Sequence, residues 1–470
     1  MKIAKAFLFF WLAFSAASAR GGDYAEQVAH LDDPAVLERV IKAGASALAD
    51  LTTALNGPRP DLAVQALGKM KLKQAVPELS KLLTAKDGEL RAAAAWAIGE
   101  CGSAESAAGL IALMNDPYAR VRSSAAAALG ALRTPDADAA LRRSLQDANS
   151  DVRMAAVQTI RANKRSDLFS LLLPCLQFRI EKTILKKEGQ EAREVDTVVW
   201  TEPSAQVRLA AISTLSDLKA ADAIPALIGA LEREESFNRL TIIRAIEGMG
   251  PGAAGTCLGR IVPMPYEKET FARHMPILIN NGTLAVIAGR LGDGRCVTAL
   301  LETLKLPREK LGQDKDLTEL YIHSVELLGK YKCDRAGRPL AELLKETRVR
   351  QLSEAIQAAI ESIGRPAARP LARNMDDWSL APVFLKLLRQ PDLRTPVARE
   401  GILKFLGHES DDVRLAATET LGMYLMDGIL DEYDQPLLDA MYLDPNKEVR
   451  ATCKRWQEKL AKKQGNEVSP

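Results

Sequence analysis

The chain has 470 residues, 47% of them apolar, so it can bury a large interior and is no disordered polymer, yet it exceeds what one ordinary core holds. Aromatics are scarce at 5% while alanine and leucine abound, which favours closely packed helices. The formal net charge is only +2, and removing Lys2 and Lys5 with the leader described next brings it to zero, which argues against an electrostatic grip on nucleic acid or anionic lipid.

The first predicted element is that leader. "MKIAK" is a short basic start, "AFLFFWLAF" an apolar stretch too short to span a bilayer, and Ala17 and Ala19 meet the small-residue rule for cleavage. Residues 1–19 read as a secretory signal peptide, giving an exported protein, periplasmic or extracellular, with no membrane span after cleavage. The first cysteine is Cys101, so no lipid-bearing cysteine stands at the cleavage site.

Residues 20–177 read as a first block of helical repeats. "LRAAAAWAIGE" with Arg91, "VRSSAAAALG" with Arg122 and "VRMAAVQTIRA" with Arg153 follow one another at steps of 31 residues, and Gly68, Gly99 and Gly130 repeat the same step. "VRLAAISTLSD" with Arg208 comes after a step of 55, and "NRLTIIRAIEGMG" with Arg239 after a further 31. Between these phrases lie shorter apolar patterns such as "AVPELSKLL" and "AIPALIGAL", with proline in the first turn where its missing N–H costs nothing. Each unit is therefore a first helix, a turn, a second helix and a turn. "KDGE", "NDPYA", "DANSD" and "DPNKE" supply the turn and cap chemistry.

The long step contains 24 extra residues. Phe178, Ile180, Lys182 and Ile184 alternate with Arg179, Glu181 and Thr183. After "KKEGQEA", Val195, Thr197 and Val199 alternate again, so 178–203 reads as a β-hairpin insertion, either a binding element or a decorative loop. Repeats resume over 204–261 and degenerate over 262–400. There "VPMPYEKETFARHMPILINNG" (262–282) breaks the helical rhythm with prolines and "LPREKLGQDKD" (306–316) is a polar connector; either can act as a bend between two solenoid halves. Residues 401–460 return to the pattern with Arg414 and Arg450, and 461–470 read as a frayed tail.

These phrases resemble the HEAT repeat, in particular the short phycobilisome-lyase-like subclass, clearly over 61–250, weakly over 251–400 and again over 401–456. The resemblance implies an all-α fold: an α-α superhelix, a right-handed solenoid of about a dozen units, carrying one β-hairpin. Each unit of such a solenoid touches only its neighbours. Counting from the Arg of the second helix, positions +3 and +7 hold Ala94 and Ile98, Ala125 and Leu129, Ala156 and Ile160, Ala211 and Leu215, Ile242 and Ile246, Ala417 and Leu421. A spacing of four is one helical face, so these residues are expected in the core, the small +3 residues letting second helices approach closely. An acidic residue stands six positions before the Arg in several units, giving Asp116 with Arg122, Asp147 with Arg153, Glu202 with Arg208 and Asp444 with Arg450. HEAT repeats carry a similar Asp/Arg ladder between adjacent turns, which assigns these groups to structure and not to catalysis.

The sequence contains no Walker loop, nucleophile elbow, zincin motif, dinucleotide fingerprint or C-x-x-C. The histidines His30, His274, His323 and His408 are scattered, and Cys175, Cys257 and Cys296 sit in apolar helical patterns as small buried hydrophobes; an even count of six cysteines leaves disulfides open. Two enzyme groups share the scaffold. Deoxyhypusine hydroxylase builds a di-iron centre from several His-Glu pairs, whereas this chain has the single pair His408-Glu409; bilin lyases share the repeat type but act on a cytoplasmic pigment. No catalytic residue, metal or cofactor is therefore expected.

What remains is recognition of a protein or peptide. Position +5 varies freely, reading Trp96, Ala127, Gln158, Ser213, Arg244, Glu419 and Arg455, and helical geometry points it away from the core. In HEAT arrays the second helix lines the concave side, so Trp96, Gln158, Arg244, Glu419 and Arg455 are candidate partner contacts, Trp and Arg being enriched at hot spots. Trp96 can instead fold onto neighbouring helix residues. Trp200, beside the hairpin, is a second aromatic candidate. A structural spacer in an envelope assembly is the other non-enzymatic reading.

Overall fold

The computed structural model describes residues 24–463 apart from 103, 133, 186–192, 235, 264–270, 375–379 and 431–433; the expected leader at 1–19 and the tail beyond 463 lie outside the described residues. The chain is an α-helical solenoid carrying a two-stranded sheet, and it divides into two compact units, Met1–Met249 and Gly250–Pro470. That division falls at Gly250, whose φ of 87° ends a helix, next to Pro251. It is neither of the segments, 262–282 and 306–316, expected to form a bend.

In the first unit the second helices of successive repeats are α1 (Pro60–Met70), α2 (Gly88–Cys101), α3 (Ala119–Gly130), α4 (Ser150–Ala162), α5 (Ala205–Asp217) and α6 (Ser236–Gly248), each packed on the next. The intervening first helices are shorter. Val76–Lys81 and Ala107–Ala112 each close with one tighter 3-10 turn, at Leu82–Thr84 and Leu113–Asn115. Caps follow the turn sequences: the Asp87 carboxylate accepts the N–H of Glu89 and the Asn149 side chain that of Asp151.

Burial follows the expected face. All twelve residues at +3 and +7, from Ala94 and Ile98 to Ala417 and Leu421, are fully buried. Burying the six large residues at +7 stabilises the stack by about 1.5–3 kcal/mol each. The glycine step also acquires a cause. A Cβ on Gly99 would lie 2.7 Å from the Cα of Ala128, and one on Gly68 3.0 Å from the Cα of Ala97, so α1, α2 and α3 touch backbone to backbone there. At position +11 the chain leaves α2, α4, α5 and α6 in the left-handed region: Gly102 (φ 65°), Lys164 (47°), Lys219 (50°) and Gly250 (87°). Lysine at two of these sites carries strain that glycine avoids.

The Arg/carboxylate ladder links adjacent units, with one correction to the pairing read from the sequence. Arg122 does not grip the carboxylate of Asp116. Its Nη1 donates to the Asp116 backbone carbonyl at 2.8 Å, while Nε and Nη2 clasp Asp147 of the next unit at 2.7 and 2.8 Å. Arg91 clasps Asp116 in the same way, Arg153 clasps Glu202 at 2.6 and 2.8 Å, and Arg208 reaches Glu234 at 2.7 Å. The carboxylates also accept the turn N–H two residues on, as Asp116 does from Tyr118 and Asp147 from Asn149, both at 2.9 Å. One guanidinium thus ties its own turn, its neighbour's turn and that turn's cap.

The hairpin is present where expected. Strands β1 (Phe178–Leu185) and β2 (Arg193–Trp200) pair antiparallel from Phe178↔Trp200 to Leu185↔Arg193. The first helix of that unit is replaced by a 3-10 stretch, Ser166–Leu176, that contains Pro174. The base of the hairpin is cemented by rings and cations. Phe178 and Trp200 meet edge to face at 5.3 Å, Arg208 lies over the Trp200 ring at 4.6 Å and Arg233 over Phe178 at 5.6 Å. Further out, residues 179–183 are exposed. The Arg153–Glu202 clasp closes beneath the insertion, so the hairpin is extruded without breaking the ladder.

The second unit contains α7 (Phe271–Arg290), α8 (Lys315–Lys330), α9 (Arg350–Ile363), α10 (Asp411–Met426) and α11 (Lys447–Lys463). Two expectations are corrected here. The helical rhythm resumes at Phe271, because Pro276 falls in the second turn of α7, where it removes a single backbone bond. The last helix runs to Lys463, three residues into the expected tail. The connector at 306–316 ends on Asp314, which caps α8 by accepting the N–H of Leu317 at 3.0 Å.

Candidate partner-binding face

Position +5 points outward along α2 to α6. Ala127, Gln158 and Arg244 are exposed, Ser213 is half-buried, and Trp96 is 36% exposed. One turn earlier, position +2 holds Ala93, Ser124, Ala155, Ala210 and Thr241, all half-buried. The second-helix face of the first unit is therefore a low-relief strip of small side chains with Trp96 toward one end and Arg244 toward the other.

Trp96 combines both geometries considered for it. One edge of the ring leans on α1, so that a Cβ on Gly68 would lie 2.6 Å from Cζ3. The rest borders a cleft of about 820 Å³ lined by Pro58, Asp61, Asp87, Glu89 and Arg120 among others. Asp61 is paired with Arg59 at 2.9 Å and Glu89 with Arg120 at 3.1 Å, both pairs well exposed. The glycine that seats the indole is what makes an exposed tryptophan compatible with a close helix contact.

The remaining candidates have partners of their own. Glu419 on α10 is half-buried, ion-paired with Arg455 on α11, and accepts the Trp456 indole N–H at 3.1 Å. These two +5 residues join adjacent helices instead of presenting free groups. Trp200 is wedged between Phe178 and Arg208 and secures the hairpin base.

Electrostatics fit a structural ladder. The Arg122 guanidinium beside Asp147 holds its carboxyl below the usual carboxylate range, outweighing the opposing effect of burial. All six cysteines are buried and unpaired. Burial pushes the thiols of Cys175, Cys257, Cys296 and Cys453 up to about 11, far from a reactive thiolate at neutral pH. His408 Nδ1 accepts the N–H of Ser410 at 2.9 Å, a local turn contact. Among the described residues no group of three or more His, Cys, Asp or Glu side chains is placed to hold a metal ion, and no helix is long and apolar enough to cross a membrane.

A second cleft, of about 920 Å³, was not anticipated. It lies within the second unit between Leu258, Val262, Asn281, Arg295, Glu302 and Leu306. Asn281 braces its rim, accepting the N–H of Val262 at 3.1 Å and donating to its carbonyl at 2.8 Å. Only the "INNG" interruption within an apolar helix hinted at it, and that signal is indistinguishable from a surface stretch.

The repeats match known families. HEAT repeats are detected at residues 48–130, 76–161 and 107–177, and a PBS lyase HEAT-like repeat at 207–233. The class is thus an α-solenoid with HEAT repeats. No curated protein matches the chain in sequence. Among solved structures, an engineered protein is 15% identical (TM-score 0.32), covering 82% of this chain and 98% of its own. The complex of CpcE and CpcF of phycocyanin lyase from Nostoc is 18% identical (TM-score 0.28), covering 61% and 94%. The karyopherin Kap95p, in a structure with RanGDP, is 13% identical (TM-score 0.42), covering 97% and 66%.

Proposed function

We propose that this chain is an exported, non-enzymatic scaffold that holds a protein or peptide partner along the second-helix face of its first unit. The observation that carries the reading is the split between the faces of one helix set: +3 and +7 wholly buried, +5 turned to solvent and variable in type. A strip of small side chains lets a partner backbone lie close, while Trp96 and Arg244 offer an aromatic and a cationic anchor. Export rests on the basic start, the short apolar stretch and the Ala17/Ala19 pair.

The test is a pull-down from the envelope fraction of the source organism, using mature protein beside the double variant Trp96→Ala, Arg244→Glu. A partner retained by the first and lost by the second, with both equally folded by circular dichroism, supports the face. Equal capture by both moves the binding site elsewhere. Fractionation of tagged full-length and Δ1–19 chains tests export: both remaining in the cytoplasm would refute it.

A further inference from the structure

The outward face of the second helices in the first unit has a composition that selects one kind of segment. Positions +1, +2 and +5 share that face. Besides small residues they hold Trp96, Met154, Leu209 and Leu240; Trp96 is 36% and Leu240 47% exposed, and the other two are half-buried. Across α2 to α6 the one side-chain amide at these positions is Gln158. An extended chain pressed on such a surface would leave most of its inward N–H and C=O groups without partners. An α-helix bonds its own backbone and brings only side chains to the contact.

The rims fit the same shape. Position −2 of α2 to α5 holds Glu89, Arg120, Asp151 and Gln206, all exposed. Position +9 includes Glu100 and Asp217, ion-paired with Lys71 at 2.9 Å and with Arg161 at 2.5 Å. The two rows lie as far apart as Glu89 and Glu100, about 16 Å along the helix axes, and a helix with its side chains is about 10–12 Å across. An apolar centre between charged rims is the usual anatomy of a docking surface. The two ends differ in charge. Around Trp96 the cleft carries Asp61, Asp87 and Glu89 against Arg120, whereas Arg244 stands exposed at the far end.

Resting on the reading that a partner lies on this face, we propose that the bound element is an amphipathic α-helix running across α2 to α6. Its apolar stripe packs on Met154, Leu209 and Leu240. A basic side chain lies over the Trp96 ring among the carboxylates at one end, and an acidic one meets Arg244 at the other. Second helices about 9 Å apart set these two anchors about 36 Å from each other, the length of about 24 helical residues.

Photoreactive benzoylphenylalanine, placed singly at Ala127, Gln158 and Ser213 of the full-length chain in cells of the source organism, tests the geometry. The cross-linked residues of the partner are mapped by mass spectrometry. The spacing of those residues is the readout, and capture alone counts for nothing. One partner segment should be labelled, its sites advancing about six residues from each second helix to the next, since about 9 Å is six steps of 1.5 Å. An advance of about three residues, the mark of a chain rising about 3.3 Å per residue, overturns the helix while leaving a partner on the face. No adduct at any of the three positions, or adducts scattered over unrelated proteins, in chains that keep the wild-type circular dichroism, overturns this inference and the parent reading together. Arg244→Glu should cut the adduct at Ser213 about tenfold, and exchanging the facing acid of the mapped segment for arginine should restore it. A yield indifferent to both changes overturns the charge assignment.

Discussion

From Arg91 to Glu234 the first unit is tied by one repeated device, an arginine fork closed on the carboxylate of the next turn. The middle of the second unit is tied differently. Tyr321 donates its hydroxyl to the Leu306 carbonyl, Tyr331 to that of Gly289 at 2.8 Å, and Ser362 to that of Gly329 at 3.0 Å. The bulkiest fully buried side chains, Tyr321, Tyr424, Phe384 and Phe405, all belong to the second unit, whereas the first fills its core with Ala, Leu, Ile and Val. Constant spacing accounts for the contrast. Where the step stays at 31, the same small residue meets the same gap each time and one short clamp serves every turn. Where the step drifts, each gap differs and is filled by a larger side chain with its own polar anchor.

The comparison can be broken from either side. Tyr321→Ala, which empties a fully buried aromatic site and orphans the Leu306 carbonyl, should cost about 3–5 kcal/mol, read as a lower urea midpoint. Arg122→Met leaves Asp147 largely buried without its counter-charge and should cost about 3 kcal/mol; a loss near zero would demote the ladder to decoration. Ala125→Leu overpacks the contact between second helices and should cost about 1–3 kcal/mol. An unchanged melting temperature there would mean that the core register is wrong.

The smaller effects sharpen it. Asp147 has a depressed pKa in the folded chain, so its contribution is fully present above the unfolded value of about 3.9 and is lost as pH falls through the lower folded value. The stability gap between wild type and Asp147→Asn should therefore hold steady from pH 7 to about 5 and close below about 4; a gap that persisted at pH 2 would point to packing and not charge. Lys164→Gly relieves a left-handed residue at a helix end and should raise stability by up to about 1 kcal/mol, against no gain for Lys→Gly at an ordinary helical position.

The amino-acid sequence alone determined the repeat, the buried face at +3 and +7, the caps at Asp87 and Asn149, and the hairpin. Each of these is written in local spacing: 3.6 residues per turn, two per pleat, and side chains that bond the backbone two residues away. Even the outward aim of Trp96 and Arg244 followed from counting along a helix. Tertiary structure alone decided which carboxylate each arginine holds. The acid six residues before Arg122 lies on its own turn and offers a carbonyl, while the carboxylate comes from Asp147, 25 residues on, brought within reach only when the next unit stacks. It also decided that Glu419 and Arg455 satisfy each other and that Trp200 cements a hairpin. Partners across a stack are set by the rotation and rise between units, and no one-dimensional spacing encodes those.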